Sequence, residues 1–107
     1  MRHLCKLLIV ILLIPTLAAC LSHRVNLREG ISSFRVEDYR KAFVRLKPEA
    51  ERGQPDAQYA VGYMYYYGKG VVEDRKKAWF WISAAANAGQ PDAKVAAHML
   101  DGNMNTK

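Results

Sequence analysis

The sequence predicts an all-α fold, a short α-solenoid of antiparallel helix pairs in which one full repeat is flanked by half-repeats. Three observations predict it. The pentapeptide Gly-Gln-Pro-Asp-Ala occurs twice, at Gly53–Ala57 and at Gly89–Ala93, an offset of 36 residues. The same offset aligns Glu37-Asp38 with Glu73-Asp74, Lys41-Ala42 with Lys77-Ala78, Phe43 with Trp79, Leu46 with Ile82, Ala50 with Ala86 and Ala60 with Ala96. A fixed period of this size marks stacked two-helix units. Apolar or small residues also recur at helical spacing, as at Ala57, Ala60, Val61, Met64 and Tyr65, and no stretch shows the alternation between hairpin turns that a strand requires.

The elements follow in order. Arg2 and Lys6 precede a continuously apolar run, Leu7 to Ile14, and then Pro15 and Leu17-Ala18-Ala19-Cys20. A basic start, a short apolar stretch and small residues before a cleavage point describe a secretory signal over residues 1–19. The run itself is shorter than the ~20 residues that a bilayer span needs. Residues 20–36, with Ser22, Asn26, Gly30, Ser32 and Ser33, read as a tether; alternatively, Ile31, Phe34 and Val36 form a capping turn on the first helix of the domain. The repeat domain covers residues 37–102, with helices at 38–52, 55–67, 74–88 and 91–101. Gly53 and Gly89 close one helix, and Pro55 and Pro91 open the next. Gly68 and Gly70 break the helix that ends near Tyr67. Asp74 caps the following one, which buries Ala78, Trp81, Ile82 and Ala85. Trp79 joins them in the core, with Phe80 outside. Residues 103–107 form a flexible tail.

The 107 residues suffice for one small domain. Sixteen basic residues stand against 10 acidic ones, and removal of Arg2 and Lys6 with the signal leaves 14 against 10, a net charge of +4. That mild excess suits a neighbour such as anionic lipid, and no basic stripe interleaved with aromatics points to nucleic acid. The run Arg75-Lys76-Lys77 reads as a solvated helix face. Cys5 leaves with the signal, so Cys20 is the one cysteine left and no disulfide framework remains.

Leu17-Ala18-Ala19-Cys20 resembles a bacterial lipobox. The resemblance implies cleavage before Cys20, a diacylglycerol on its thiol and acylation of the new amino group. Several acyl chains, at about 0.8 kcal/mol per buried CH₂, anchor a protein firmly. Leu21 after the cysteine implies sorting to the outer membrane, with the domain facing the periplasm.

The stretch Ala57–Gly89 resembles a Sel1-like repeat, a relative of the tetratricopeptide repeat. The residues that carry the likeness are Val61-Gly62, Tyr65, Gly68, Gly70-Val71, Asp74, Lys77-Ala78, Trp81, Ala85-Ala86 and Gly89. Val61 stands where leucine is usual. Residues 38–52 resemble the second helix of a preceding repeat and residues 91–101 the first helix of a following one, with His98 replacing the family glycine. The likeness implies that the first helix of each pair lines a concave groove. Asp56, Tyr59, Tyr63, Tyr66 and Tyr67 become candidate groove residues, and Asp92, Val95 and Met99 are their counterparts on the last helix. Tyr65 is assigned to packing.

"Gly-Lys-Gly" at residues 68–70 is not a phosphate loop, because it lacks the Gly-x-x-x-x-Gly-Lys-Ser/Thr spacing and follows a helix. No catalytic constellation or metal-ligand spacing accompanies His23 and His98. The expected function is therefore a non-enzymatic adaptor of the bacterial envelope without cofactor, metal or nucleic acid. It would bind a protein partner, or itself, through the groove or the open end at Ala93–Leu100. The alternatives are a peptidoglycan-binding or other glycan-binding module, and a factor in contact with a host.

Overall fold

The computed structural model describes residues 1–104. Among them are five helices and no strand: α1 (Arg2–Arg35), α2 (Tyr39–Glu51), α3 (Pro55–Tyr67), α4 (Arg75–Asn87) and α5 (Pro91–Met104). Each helix packs on its sequence neighbours, as the short connections require of an antiparallel array. The expected all-α solenoid is what the chain forms. Helix α5 runs to Met104, beyond the predicted end at residue 101, so residues 103 and 104 of the expected tail are helical; its remainder, residues 105–107, lies outside the described residues.

The period of 36 has its origin in two identical turns. Gly53 and Gly89 both sit at φ 93°, in the left-handed region that favours glycine. Gly53 N–H donates to the Ala50 carbonyl and Gln54 N–H to that of Glu49, each at 3.0 Å; Gly89 and Gln90 repeat the pair onto Ala86 and Ala85 at the same distances. These are the paired bonds of a Schellman ending, which satisfy carbonyls that the helix leaves free. The glutamine then starts the next helix. Gln54 Oε1 accepts from Asp56 N–H at 2.9 Å and Gln90 Oε1 from Ala93 N–H at 2.6 Å. Asp38 and Asp74, also 36 apart, cap α2 and α4 by accepting from the backbone N–H of Lys41 and Lys77.

The expected tether is instead helical. Helix α1 runs unbroken to Arg35, and its last turns pack on α2. Arg45 donates to Asn26 Oδ1 at 2.8 Å and pairs with Glu29 at 3.1 Å. Glu49, nearly fully buried, lies 3.3 Å from His23 Nδ1 and accepts from Arg52 Nη1 at 3.1 Å. Leu27, Ile31 and Phe34 pack against the core of Ala42, Leu46, Ala50, Ala57, Ala60, Val61, Met64, Tyr65 and Ala78. The C-terminal part of α1 is thus the first helix of the pair that α2 completes.

Its register differs from that of the later pair. Helices α1 and α3 end 32 residues apart, at Arg35 and Tyr67, whereas α2 and α4 begin 36 apart, at Tyr39 and Arg75. The first inter-helix turn, residues 36–38, is four residues shorter than the second, residues 68–74. The 32-residue shift sets Gly30 on Gly62. A Cβ on Gly30 would lie 2.5 Å from Leu46 Cδ2, and one on Gly62 would lie 2.7 Å from Ile82 Cγ1 and 3.1 Å from the Ile82 nitrogen. Each glycine admits the aliphatic side chain of its partner helix. The longer turn is accommodated by Gly68 and Gly70, at φ 67° and 71°. A Cβ on Gly70 would strike the Tyr39 backbone, so this loop lies against the start of α2.

Helix α1 also corrects the estimate of the apolar segment. Leu7–Ile14 alone is short, yet α1 as a whole is long and apolar enough to cross a membrane, with a mean hydropathy of 2.6 over its best 18-residue window. The side chains of Leu7–Ile14, Leu17 and Leu21 are exposed. A signal sequence has the same properties.

The docking of α1 is directly testable. Leucine exceeds glycine in helix propensity by roughly 0.8 kcal/mol, so Gly30→Leu stabilises a free helical tether. In the packed seam it overfills the contact with Leu46, which costs about 1–3 kcal/mol. Thermal unfolding followed by circular dichroism is expected to show a lower Tm for Gly30→Leu, with a larger fall for Gly62→Leu.

Candidate functional site

Helix α3 divides its residues between two faces. Ala57, Ala60, Val61, Met64 and Tyr65 point into the core. Tyr59, Tyr63, Tyr66 and Tyr67 lie on the other side and line a cavity of about 480 Å³ between α3 and α5. Helix α5 contributes Asp92, Val95, Ala96, Met99, Leu100 and Asn103, and Ile82 of α4 forms part of the wall. This size and apolar lining fit a ligand site.

Six of the seven groove residues predicted from the sequence come together there: Tyr59, Tyr63, Tyr66, Tyr67, Val95 and Met99. Asp56 does not line the cavity. Its Oδ1 accepts from Gln90 Nε2 at 3.4 Å, which ties the start of α3 to the turn before α5. Its counterpart Asp92 takes the place in the wall. Ile82, Ala96, Leu100 and Asn103 were not predicted as lining residues; they come from α4 and from α5 packed on it, an arrangement that a one-helix pattern does not contain.

The tyrosines form part of a chain of ring contacts. Tyr39 meets Phe34 with centroids 5.6 Å apart, Phe34 meets Tyr63 at 5.3 Å, Tyr63 meets Tyr67 at 4.7 Å and Tyr67 meets Tyr66 at 4.8 Å, mostly edge to face. Such pairs favour one geometry and hold the rings in place. Phe34, read as part of the tether or of a capping turn, anchors Tyr63 from α1. Burial, with the nearby Asp92 carboxylate second, raises the Tyr59 hydroxyl above its ordinary value of 10.0, so Tyr59 presents a neutral O–H.

Several rings, Tyr66 of the cavity wall among them, carry a cation. The Arg75 guanidinium lies 3.9 Å from the Tyr66 centroid and donates to Glu73 at 2.8 Å. Lys69 stands over Tyr39, Lys77 over Tyr65 and Lys47 over Trp81, at 5.9, 5.4 and 5.7 Å. Arg75 therefore lies on a ring rather than only on a solvated face, while Lys76 and Lys77 remain exposed.

The two tryptophans depart from the sequence reading. Both are half-buried rather than core residues, and Phe80 is outside as expected. Trp81 packs against the edge of the core. Trp79 stands at the seam of α4 with α5, beside a second cavity of about 650 Å³ lined also by Ser83, Ala97 and His98. At the aligned seam, Phe43 meets Tyr65 with centroids 5.5 Å apart. The 36-residue counterpart of Tyr65 is Asp101, so Trp79 has no matching ring. Among the described residues no group of His, Cys, Asp and Glu side chains is arranged to hold a metal ion.

Core and cavity tyrosines are expected to differ in stability effect. Tyr65→Ala removes a core ring and costs about 3–5 kcal/mol, the range for large aromatic truncations. Tyr67→Ala, at a residue 55% exposed, stays nearer the ±0.5 kcal/mol of surface changes. Urea titrations of the two variants measure the contrast.

Residues 55–90 match the protein-family model described as Sel1 repeat. No curated protein and no solved structure matched the chain. The matched segment contains α3, α4 and the turn that follows, and its first helix supplies the four cavity tyrosines.

Proposed function

We propose that this chain is a non-enzymatic adaptor of the bacterial cell envelope that binds a partner protein through the cavity between α3 and α5. The observation that carries the reading is the set of four tyrosines on the non-core face of a Sel1-type repeat, joined by Val95 and Met99. Rigid rings with a polar tip bind at little entropic cost and dominate many protein interfaces.

Membrane attachment rests on the N-terminal segment. The exposed aliphatic side chains of α1 form a surface unfavourable in water at about 25 cal/mol per Å² and suited to a bilayer. In this reading the lipobox-like Leu17–Cys20 is cleaved before Cys20, which is exposed. Cys20 then carries the diacylglycerol and N-acyl chains, and the domain sits at the outer membrane, facing the periplasm. Only one helical turn separates Cys20 from His23, which contacts Glu49. The lipid would hold the repeat close to the bilayer without a flexible spacer. A second reading keeps α1 uncleaved as a membrane-crossing helix, which its length and hydropathy favour.

Two measurements test the proposal. Intact-mass analysis of the purified chain is expected to give a species starting at Cys20 with added acyl mass, absent in Cys20→Ser; an unmodified Met1 terminus would support the uncleaved helix. Crosslinking of the tagged full-length protein in cells, followed by mass spectrometry, is expected to recover one dominant protein partner that is lost when Tyr59, Tyr63 and Tyr66 become alanine. A partner retained by that variant moves the interface to the open end at α5. Binding to purified sacculi in place of a protein partner supports a glycan-binding module.

A further inference from the structure

Resting on the groove reading above, the geometry points to a basic residue as the recognised feature of the partner: a lysine or arginine, flanked by an apolar side chain, seated among Tyr59, Tyr63 and Tyr67 with its charge on Asp92. Cation–ring pairs recur in this chain, once in the cavity wall itself at Tyr66. Tyr39, Tyr65, Tyr66 and Trp81 each have a lysine or arginine of the same chain over the ring. Over Tyr59, Tyr63 and Tyr67 no such cation stands among the described residues. With Tyr66 these three rings line the cavity, whose wall contains, among the described residues, one carboxylate, Asp92, and no lysine, arginine or histidine.

Asp92 is available to a ligand. It lies in the first turn of α5. Its repeat counterpart Asp56 is engaged by Gln90, whereas Asp92 is exposed and forms no ion pair among the described residues. A cation over a tyrosine face is attracted by the ring quadrupole, and a carboxylate beside it supplies the charge-assisted bond. The chain already builds this arrangement once: Arg75 lies on Tyr66 and is held by Glu73. Val95 and Met99, both exposed on α5, provide the apolar floor for the neighbouring side chain. In a chain with formal net charge +6, an acidic aromatic cavity also runs against the overall charge, which favours a basic segment there over an acidic one.

The test uses the full-length chain in non-ionic detergent micelles, applied to an array of random octapeptides, with empty micelles as the blank. Bound peptides are expected to be enriched in Lys or Arg next to Leu, Ile, Met or Phe. The best octapeptide, labelled with fluorescein, is then titrated by anisotropy. Replacing its basic residue by Gln, or Asp92 by Asn, is expected to weaken binding by about tenfold or more, the scale of one charge-assisted hydrogen bond. Asp92→Lys is expected to shift the enriched set from basic to acidic peptides. Binding without basic enrichment, or unchanged in Asp92→Asn, overturns the assignment of the cation and leaves the groove reading standing. No peptide binding, or binding that survives Tyr59→Ala with Tyr63→Ala in a chain that keeps its helical circular dichroism, overturns both.

Discussion

The close approach of paired helices at Gly30 and Gly62 is the constraint on which the rest of the structure depends. At both positions the missing side chain leaves room for an aliphatic residue of the second helix, Leu46 or Ile82. The interior of each layer is lined accordingly with small residues, Ala42 and Ala78 among them, both fully buried. With one face of α3 turned inward so closely, its large aromatic residues collect on the opposite face. The cavity tyrosines are therefore a consequence of the seam: Tyr59, Tyr63 and Tyr66 keep their helical spacing from one another, while Gly62 and Tyr65 hold the core side. Cavity lining and core packing are divided between two faces of a single 13-residue helix.

Much of this was legible because the repeat is written in turn chemistry. Gly53 and Gly89 share a backbone conformation that other residues adopt at a cost, and Pro55 and Pro91 each start a helix. The predicted bounds of α3 agree with the observed ones, and those of α2 and α4 differ by one residue at each end. Most of the groove was legible too, because its members stand on one helix, α3, and on the repeat counterparts in α5. What stayed hidden was carried by contacts between distant segments. The first helix of the opening pair follows an offset of 32, since the turn at 36–38 is four residues shorter than its successor. Gly30 therefore falls out of step with the period that finds every other element. Ser32 and Ser33 also read as tether residues, yet Ser33 is buried. Glu49 shows the same limit, for nothing near it in sequence indicates that a carboxylate would be buried between His23 and Arg52.

The unbroken course of α1 couples the apolar N-terminal segment to the tyrosine-lined cavity. Because helices α1 to α5 alternate in direction, the turns at residues 52–54 and 88–90 lie toward the end of α2 and α3 that meets His23, and the 68–74 loop lies at the opposite end. Phe34, near the far end of α1, holds Tyr63. One helix thus runs from the apolar segment to the aromatic wall of the cavity. In the proposed membrane-attached form, a continuous helix of this kind would set the orientation of the groove to the bilayer, where a flexible linker would leave it free.

Helix α5 departs from the pattern of the earlier layers. It occupies the place of a first helix, and the shift of 36 sets His98 on Gly62. A second helix seated on α5 as α4 sits on α3 would bring its aliphatic residue to the position where Gly62 already leaves less than 3 Å for a Cβ. An imidazole excludes that seat. The substitution of Asp101 at the position of Tyr65 acts in the same direction, since it places a charge where the preceding layer has a ring. Two changes on one helix therefore close the packing mode that built the first two layers. They leave Trp79 beside a seam cavity on that side and leave the other side of α5 to complete the tyrosine-lined cavity. The last helix is shaped less to receive another repeat than to form the second wall of the site.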